Sequence, residues 1–399
     1  MSSLTQYIRV ELKPKEEDRM LSGHPWVFAN EVKDIQGHLS PGSLVEVISR
    51  KGAFVGRGVA SPASKILVRL LTHNPKVEID ENLIRSRVLS AVAARRPLAK
   101  KYGTDGLRLI FGEADQLPGI LCDGFGTVAV LSCFSAGLQP FLPLIVETLV
   151  ACGYTSVYER SVGENRQKEG LKDTQGWLCG EVPFPLPFRE DKAAFAAYSD
   201  RGQKTGFYLD FRLGRERFAE LSANRRVLDV FCYSGAASIR AAMAGASSVT
   251  AVDSSAEALA EAQTNAQKNG VEGSITFEKE DAFKIWGPWR KEGRTFEGIL
   301  LDPPPLARSA HDLLAGRVAL KRLISGALTV LEPGGFIIVS SCSHHFGWQA
   351  LEDCAREASS EVGRAFQLME RLPQPLDHPI LLGVPETEYL RCLALKEVV

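Results

Sequence analysis

Acidic residues and one cysteine stand at the ends of successive apolar runs in the second half of the chain. The runs cover residues 227–231, 248–252, 275–278, 298–301 and 335–340. The polar residues that lie in or just after them are Asp229, Asp253, Asp281, Asp302 and Cys342. If the runs are parallel strands, these groups meet at one edge of a sheet, where ligands bind in open α/β folds. Carboxylates there can accept hydrogen bonds from a ligand, and a thiol can act as a nucleophile.

The first run leads into a short turn that ends in a single glycine. Residues 226–235 read RVLDVFCYSG, and the pattern predicts a strand, a tight turn and then a helix over 236–244. A dinucleotide-binding turn needs G-x-G-x-x-G so that the backbone can approach a pyrophosphate, and this turn has glycine only at Gly235. The turn therefore favours a cofactor without phosphates, such as S-adenosylmethionine. On this stretch alone, an ordinary buried strand and turn is an equal alternative.

The next two strand ends add groups that suit a nucleoside. Asp253 follows the second run, about 24 residues after Asp229, where an acidic residue can accept both ribose hydroxyls. A helix is predicted over 256–269. Asp281 and Ala282 follow the third run, and we expect Asp281 to accept the adenine amino group. One such aspartate is more often a helix cap than a ligand, but the repetition at successive strand ends favours a binding crevice.

Length and composition limit the class of protein. A chain of 399 residues is too long for a single core, so two or three domains are expected. No apolar run reaches membrane-spanning length, and the first residues contain no signal-peptide core. The eight cysteines show no C-x-x-C spacing, which argues against a zinc ribbon or a disulfide framework. We expect a reducing, cytoplasmic location.

The charge is distributed unevenly along the chain. Residues 1–101 contain 17 Lys and Arg against 10 Asp and Glu, a net charge of +7, whereas the remainder carries −8. A basic first third is suited to binding a polyanion such as RNA, although a basic solvated face would give the same count. The first 75 residues predict a small β-barrel, with strands over 7–12, 43–49, 54–60 and 66–71. A basic helix follows over 80–101.

Residues 104–190 predict a small α+β segment. The expected elements are strands over 107–111, 128–132 and 156–159 and a helix over 138–152, whereas the proline-rich residues 183–187 are expected to be a connector. A polar loop over 202–210, GQKTGFYLD, then precedes a helix over 211–221 that leads into the first strand of the sheet. A loop at this place can fold over a ligand at the strand ends.

Several motifs together resemble one enzyme family. They are HPWVF at 24–28, GEADQLPG at 112–119, YERS at 158–161, GQKTGFYLD at 202–210, LDVFCYSGA at 228–236, DPP at 302–304 and SCS at 341–343. The chain resembles, over nearly its full length, the bacterial 23S ribosomal RNA large-subunit cytosine methyltransferases of the RlmI type, which make 5-methylcytosine. The pair GQKTGFYLD and LDVFCYSGA is specific for this family, whereas DPP is shared by many methyltransferases.

The resemblance implies a fold, a cofactor and a partner. The implied fold has a PUA-like β-barrel over 1–75, a linker helix and small α+β domain over 76–190, and a Rossmann-like class I methyltransferase domain over 191–399. The implied cofactor is S-adenosylmethionine, and the implied partner is 23S rRNA or a large-subunit precursor, with no membrane involved. A homodimer is among the oligomeric states that the sequence leaves open. The expected cofactor-binding residues are Gln203, Phe207, Asp210, Asp229, Phe231, Ser234, Gly235, Asp253, Ser254, Asp281, Ala282 and Asp302.

Cys342 and Asp302 are the expected catalytic residues. A thiolate that adds to carbon 6 of cytosine turns carbon 5 into a nucleophile, and Asp302 can hydrogen-bond the ring at nitrogen 3. A buried structural thiol is the alternative for Cys342, and Cys232 is expected to pack. Adjacent histidines in a strand face opposite sides, so His344 and His345 are not expected to share a metal. They are expected to lower the thiol pKa or to contact phosphate.

Two other functions remain open at this point. The same fold can methylate an exocyclic nitrogen or another rRNA atom, in which case Cys342 is incidental. A non-catalytic RNA-binding assembly factor is the second alternative, and the acidic residues retained at the strand ends argue against it.

Overall fold

The structure, a computed structural model, describes residues 6–202, 205–307, 310–344 and 346–398. The chain forms two compact units. The first contains residues 1–189, 197–207 and 376–387, and the second contains residues 190–196, 208–375 and 388–399. The three-part division predicted from the sequence remains a prediction. In the part of the chain that the structure describes, every helix is too short or too polar to cross a membrane.

The first unit begins with a mixed six-stranded sheet. Its elements are β1 (Ile8–Leu12), α1 (Asp18–Leu21), β2 (Trp26–Phe28), β3 (Val32–Gln36), β4 (Leu44–Ile48), β5 (Phe54–Ala60) and β6 (Ile66–Thr72). The strand order is β2-β6-β5-β4-β1-β3, with β1 and β4 parallel. Alternate residues face a core that includes the fully buried Val10, Val47 and Val68. The four predicted strands are present, and the structure adds β2, which contains the aromatic residues of HPWVF, and β3.

A long helix and a second sheet complete the first unit. The elements are α2 (Glu81–Tyr102), β7 (Gly106–Phe111), β8 (Ile120–Phe125), β9 (Val128–Cys133), α3 (Leu142–Ala151), β10 (Ser156–Ser161), α4 (Glu164–Gln167) and β11 (Thr174–Cys179). The sheet order is β11-β10-β9-β8-β7. Asp80 caps α2, because its Oδ1 accepts a hydrogen bond of 2.8 Å from the backbone N–H of Leu83. The helix ends at Gly103, whose left-handed φ of 59° suits glycine.

Strands β12 (Leu186–Glu190) and β13 (Ala193–Ala197) form a separate two-stranded sheet. The proline-rich pattern predicts a connector over residues 183–187, and this prediction is wrong at its end, because β12 begins at Leu186. A two-stranded ribbon has only edges, so Pro187 is tolerated although it cannot donate a backbone hydrogen bond.

The second unit is a doubly wound α/β domain. Its elements are α5 (Arg212–Ser222), β14 (Arg226–Val230), α6 (Ala236–Met243), β15 (Ser248–Asp253), α7 (Ala256–Lys268), β16 (Ile275–Lys279), α8 (Trp286–Lys291), β17 (Phe296–Leu301), α9 (Leu313–Leu328), β18 (Leu331–Ser341), α10 (Trp348–Glu361), β19 (Phe366–Pro373) and β20 (Arg391–Glu397). The sheet order is β16-β15-β14-β17-β18-β20-β19, and only β20 runs antiparallel to its neighbours. The predicted α/β class is therefore confirmed.

The strand order places a crevice at the centre of this sheet. From β14 the chain first winds outward through β15 and β16, and then returns to β17 on the other side of β14. The order thus reverses between β14 and β17, and ligands bind beyond the carboxyl ends at such a reversal. The strands are buried on both faces, with Leu228, Val252 and Leu301 fully inaccessible to solvent. This explains why they read as continuous apolar runs in the sequence.

Candidate active site

The turn after β14 is held in a strained, fixed shape. Phe231 and Tyr233 adopt left-handed φ values of 68° and 47°, which are uncommon for residues other than glycine. The backbone N–H groups of Phe231 and Cys232 both donate to the carbonyl oxygen of Val252, at 2.9 and 3.0 Å. Gly235 has a φ of 75°, and a Cβ there would lie 2.8 Å from the Cβ of Ala262. The turn is therefore locked against the end of β15 and leaves no room for a larger residue at Gly235.

Asp253 presents a carboxylate at the end of β15. Its Oδ2 accepts a hydrogen bond of 3.0 Å from the N–H of Tyr233, and its Oδ1 accepts one of 2.9 Å from the N–H of Ser255. A carboxylate oxygen can accept a second hydrogen bond, so this fixed group retains capacity for a vicinal diol. Ser254, the next residue in the chain, is exposed.

Asp229 lies beneath the turn and is almost completely buried. Its Oδ2 accepts a hydrogen bond of 2.6 Å from the hydroxyl of Ser238. Burial raises the pKa of Asp229 to about 7, the Ser238 bond opposes this rise, and the negative charges of Asp302 and Asp253 add to it. The acidic groups at this edge are thus close enough to repel one another, and a positively charged ligand would relieve that repulsion.

The end of β16 combines an acid with an exposed aromatic ring. Asp281 accepts a hydrogen bond of 3.0 Å from the N–H of Phe283, and its Oδ2 lies 2.9 Å from the Nζ of Lys284. Lys284 first, and the Phe283 N–H second, lower the pKa of Asp281. The ring of Phe283 is half exposed, and its centroid lies 6.3 Å from that of Phe231. Two aromatic rings beside a hydrogen-bond acceptor suit a flat base with an amino group.

Asp302 and Cys342 occupy neighbouring strand ends. The hydroxyl of Ser340 donates a hydrogen bond to Oδ1 of Asp302, and the N–H of Asp302 donates to the carbonyl oxygen of Val230 at 3.3 Å. The Sγ of Cys342 lies 3.9 Å from the carbonyl oxygen of Pro303. Strands β17 and β18 pair in parallel, with Leu301 beside Val339, so the segments that follow them leave the sheet at the same edge. Asp302 comes one residue after Leu301, and Cys342 comes three residues after Val339.

Two tyrosines that the sequence analysis missed also belong to this region. Tyr208 packs edge-to-face on Tyr233, with ring centroids 5.2 Å apart. Burial, followed by the charges of Asp210, Tyr233, Asp302 and Cys342, raises the pKa of Tyr208. The hydroxyl of Tyr389 donates a hydrogen bond of 2.5 Å to Oδ2 of Asp210, and its ring centroid lies 5.6 Å from that of His344. Tyr208 lies within the GQKTGFYLD motif and was recognisable there, whereas the sequence contains no signal for Tyr389.

The structure brings most of the predicted residues together at one edge of the second unit. Those at the carboxyl ends of β14 to β18 are Asp229, Phe231, Ser234, Gly235, Asp253, Ser254, Asp281, Ala282, Asp302 and Cys342. Ser234 is buried, and its carbonyl oxygen accepts from the Nδ2 of Asn265 at 3.2 Å. Asp210 is buried in the same unit.

The remaining predicted residues are placed elsewhere or not described. Phe207 belongs to the first unit, where its ring packs on Phe188 with centroids 4.7 Å apart. Gln203 and His345 lie outside the described residues. The cofactor-binding and catalytic roles of all the predicted residues, Gln203 and Phe207 among them, remain predictions. Cys232 is buried, as expected for a packing residue, and burial raises the pKa of its thiol.

The donor set of this edge fits S-adenosylmethionine. The cofactor has a ribose diol, an adenine and a positively charged sulfonium, and lacks phosphate. The fixed Asp253 carboxylate suits the diol, the Phe231 and Phe283 rings suit the adenine, and the repelling acids suit a cation. The backbone N–H groups of Phe231, Cys232, Tyr233 and Gly235 all donate within the protein, so this turn is unsuitable for a pyrophosphate.

Comparison with known proteins agrees with this geometry. A family model described as a PUA-like domain matches residues 10–73, which confirms the predicted N-terminal domain type. A model described as S-adenosylmethionine-dependent methyltransferase matches residues 154–387. Among solved structures, a methyltransferase complexed with SAH has a TM-score of 0.84 and 20% identity, covering 98% of this chain and 100% of that chain. At this identity the likeness shows the shared fold.

Curated relatives match over almost their whole length. Ribosomal RNA large subunit methyltransferase I of Shewanella denitrificans is 36% identical over 98% of this chain and 99% of its own length. The protein of the same name from Salmonella schwarzengrund is 34% identical over 99% of both chains. This chain therefore belongs to the ribosomal RNA large subunit methyltransferase I family, and it is an S-adenosylmethionine-dependent methyltransferase.

Proposed function

We propose that this chain methylates carbon 5 of a cytosine in 23S rRNA by covalent catalysis from Cys342. The observation that carries the proposal is the position of Cys342, whose Sγ lies 3.9 Å from the carbonyl oxygen of Pro303, the residue after Asp302. A nucleophile and an acid thus stand side by side at the edge where the cofactor-binding residues converge. The names of the relatives support ribosomal RNA of the large subunit as the substrate class.

The cofactor supplies an electrophilic methyl group on a positively charged sulfur. We assign Asp253 to the ribose hydroxyls, Asp281 to the adenine amino group, and Phe231 with Phe283 to the adenine faces. Asp229 and Asp302 add negative charge near the sulfonium. The locked turn that ends at Gly235 holds these groups before any ligand arrives, so little ordering cost is paid on binding.

The first chemical step makes carbon 5 nucleophilic. The target cytosine leaves its stack to reach the sheet edge, as substrates of other base-modifying enzymes do. The thiolate of Cys342 forms a bond to carbon 6, and the electron pair of the 5,6 double bond becomes available at carbon 5. Nitrogen 3 takes up a proton from solvent as carbon 6 is attacked, Asp302 accepts a hydrogen bond from this N–H, and the proton returns to solvent when the thiolate is later expelled. Ser340 positions Asp302 for this contact through its hydrogen bond to Oδ1.

The second step transfers the group and releases the enzyme. Carbon 5 would then form a bond to the methyl group that bound S-adenosylmethionine would supply, with the carbon–sulfur electron pair left on sulfur. A base then removes the carbon 5 proton, the 5,6 double bond re-forms, and Cys342 leaves as a thiolate. Tyr208 is unsuited to be this base at neutral pH, because burial raises the pKa of its phenol and keeps it protonated.

Trapping on fluorinated RNA tests the covalent step. In 5-fluorocytidine the fluorine cannot leave as the proton does, so a covalent protein–RNA adduct should accumulate in the presence of S-adenosylmethionine. Cys342→Ala should form no adduct, whereas Cys232→Ala, the matched change in a buried packing cysteine, should still form it. Absence of an adduct on fluorinated RNA that the wild type binds would exclude carbon 5 chemistry. Mass analysis of the product nucleoside would then identify methylation of an exocyclic nitrogen.

Two narrower proposals concern the form of the RNA substrate and the oligomeric state of the enzyme. We expect 23S rRNA or a large-subunit precursor to be bound in the cytoplasm, and a homodimer is the assembly to test first. Methylation rates on protein-free 23S rRNA and on isolated large-subunit particles distinguish the two substrates. Light scattering at several protein concentrations determines whether the chain dimerises.

A further inference from the structure

A cavity of about 490 Å³ lies within the first unit and is lined by residues other than those assigned to methyl transfer. Two motifs for which methyl transfer gives no role contribute to its walls. HPWVF contributes Pro25, and GEADQLPG contributes Glu113, Gln116 and Pro118. These stretches lie some 90 residues apart in the chain. Their joint occurrence at one cavity suggests that the cavity, rather than either motif alone, has a function.

Arg87 of α2 provides a positive charge in the wall of this cavity. One guanidinium nitrogen, Nη1, donates a hydrogen bond of 2.7 Å to the carbonyl oxygen of Gln116, and Nη2 donates to that of Leu71. Both acceptors are neutral, so they orient the guanidinium without compensating its charge. Burial lowers the pKa of Arg87 to about 10, and the group still carries its charge at neutral pH. An oriented arginine in a concave site is well suited to bind phosphate.

The rest of the wall suits a base and a sugar. Pro25, Leu70 and Pro118 supply apolar surface. Glu113 offers an acceptor for base amino groups, and its own position is fixed because its Oε1 accepts a hydrogen bond of 2.9 Å from the Nε1 of Trp26. The exposed His73 also lines the cavity, with its ring oriented by a contact of 3.0 Å between Nδ1 and the carbonyl oxygen of Val55.

We propose that this cavity binds one unpaired nucleotide of the RNA substrate, with the phosphate on Arg87 and the base against the apolar wall. The inference rests on the proposed function, since it supposes that RNA is the substrate. The volume falls within the range of sites that hold small organic molecules. Unpaired RNA is commonly recognised in this way, by splayed bases in pockets and by phosphate contacts. The site would add a contact to the RNA besides those made to the target cytosine.

Binding of unmodified 23S rRNA transcript to the full-length protein, measured by filter binding at one salt concentration, tests this proposal. Arg87→Met should weaken RNA affinity by roughly ten-fold, the loss expected for a charge-assisted hydrogen bond. Arg85→Met is the matched control, because Arg85 lies on the same helix and pairs on the surface with Glu147 at 3.1 Å. It should change affinity little. S-adenosylmethionine affinity should match the wild type in both variants, and the thermal midpoint shows whether Arg87→Met, which loses the donors to Gln116 and Leu71, remains folded.

A second variant, His73→Ala, and a small-molecule probe test the proposal even if Arg87→Met is unstable. If Arg87→Met lowers the thermal midpoint, His73→Ala takes its place, since His73 is exposed and its removal spares the contacts of Arg87. The four 5′-nucleoside monophosphates should show saturation-transfer NMR signals with the wild type and weaker signals with His73→Ala. Folded Arg87→Met and His73→Ala proteins that bind rRNA like Arg85→Met would overturn the nucleotide site and leave the cavity to a protein partner or to packing. A wild type that binds no rRNA would instead overturn both this inference and the proposed function.

Discussion

The Sγ of Cys342 lies 3.9 Å from the carbonyl oxygen of Pro303, so the cysteine at the end of β18 adjoins the turn that begins with Asp302 at the end of β17. Asp302 and Cys342 are 40 positions apart in the chain, and the parallel pairing of β17 with β18 brings the segments that contain them together. If Cys342 is the nucleophile, as we propose, this placement lets it reach a base held by Asp302 without movement of the sheet. The relationship makes Cys342 the first residue to test.

Cys342→Ala should abolish methyl transfer to 23S rRNA while leaving S-adenosylmethionine binding intact. The variant removes the atom that adds to carbon 6, and the loss of a catalytic nucleophile reduces turnover by several orders of magnitude. Radiolabelled methyl transfer measures the first effect and calorimetry the second. Cys232→Ala should retain most of the activity. Turnover near the wild-type rate in Cys342→Ala would contradict the covalent mechanism.

Asp253→Ala should weaken S-adenosylmethionine binding, because the ribose diol loses a pair of charge-assisted hydrogen bonds worth on the order of 1.5–3 kcal/mol each. The affinity of Asp253→Asn for S-adenosylmethionine should fall between those of Asp253→Ala and the wild type, since the amide keeps one oxygen that can accept a hydrogen bond. Glu280→Ala is the matched control, as it removes an exposed carboxylate from the same edge of the sheet. Calorimetry with equal affinity in Asp253→Ala and wild type would show that the ribose lies elsewhere.

The strands that carry this site were predictable from the sequence because their burial on both faces produces apolar runs. The predicted run 248–252, for example, corresponds to β15 at Ser248–Asp253. Strand β8 was missed, because Asp123 interrupts its apolar pattern. The structure pairs that buried carboxylate with Arg108, whose Nε lies 2.5 Å from Oδ1. A local pattern cannot reveal a charge that is compensated by a residue of another strand.

Contacts between distant residues were beyond the reach of sequence patterns. Tyr389 donates to Asp210 across 179 residues, and neither residue's neighbours in the sequence indicate the pairing. Similarly, the strand-end aspartates could be predicted to share an edge, but the pKa of Asp229 is raised by its burial and, to a lesser extent, by the charges of Asp302 and Asp253, which depend on the folded structure. The sequence therefore predicts which residues form the site better than it predicts their electrostatics.

Asp229→Asn should stabilise the cofactor-free protein more at pH 7.5 than at pH 5. The folded pKa of about 7 lies above the ordinary value of 3.8, so the folded state binds this proton more tightly than the unfolded state. The contribution of Asp229 to stability is therefore greatest below pH 4 and falls as the pH rises to about 7, by at most about 1.4 kcal/mol per pH unit. Asparagine does not ionise, so it removes this loss of stability at higher pH. Its side-chain oxygen can still accept the hydrogen bond from Ser238. Thermal midpoints of Asp229→Asn and of the wild type, measured between pH 5 and pH 7.5, check this prediction.

A matched substitution controls for general effects of charge on that midpoint. Asp34→Asn removes one negative charge from an exposed position of β3 and should shift the midpoint equally at both pH values. If the difference between Asp229→Asn and the wild type is the same at pH 5 and pH 7.5, Asp229 has an ordinary pKa, and the acidic edge is better solvated than its burial suggests.

The exposed cations at the end of α2 should contribute to RNA binding through phosphate contacts. Arg96, Lys100 and Lys101 are all exposed and lie in the last two turns of the helix. Replacing all three with alanine should weaken binding of 23S rRNA and reduce the slope of log affinity against log salt by about 0.7–0.9 for each lost phosphate contact. The basic residues of the last turn also interact favourably with the helix dipole, so a small loss of stability is expected as well.

A triple alanine variant at Lys268, Lys279 and Lys291, exposed lysines of the second unit, removes the same charge elsewhere. Equal salt slopes in the two triple variants would mean that α2 contributes only through net charge, and an unchanged slope in the α2 variant would place the RNA on another surface.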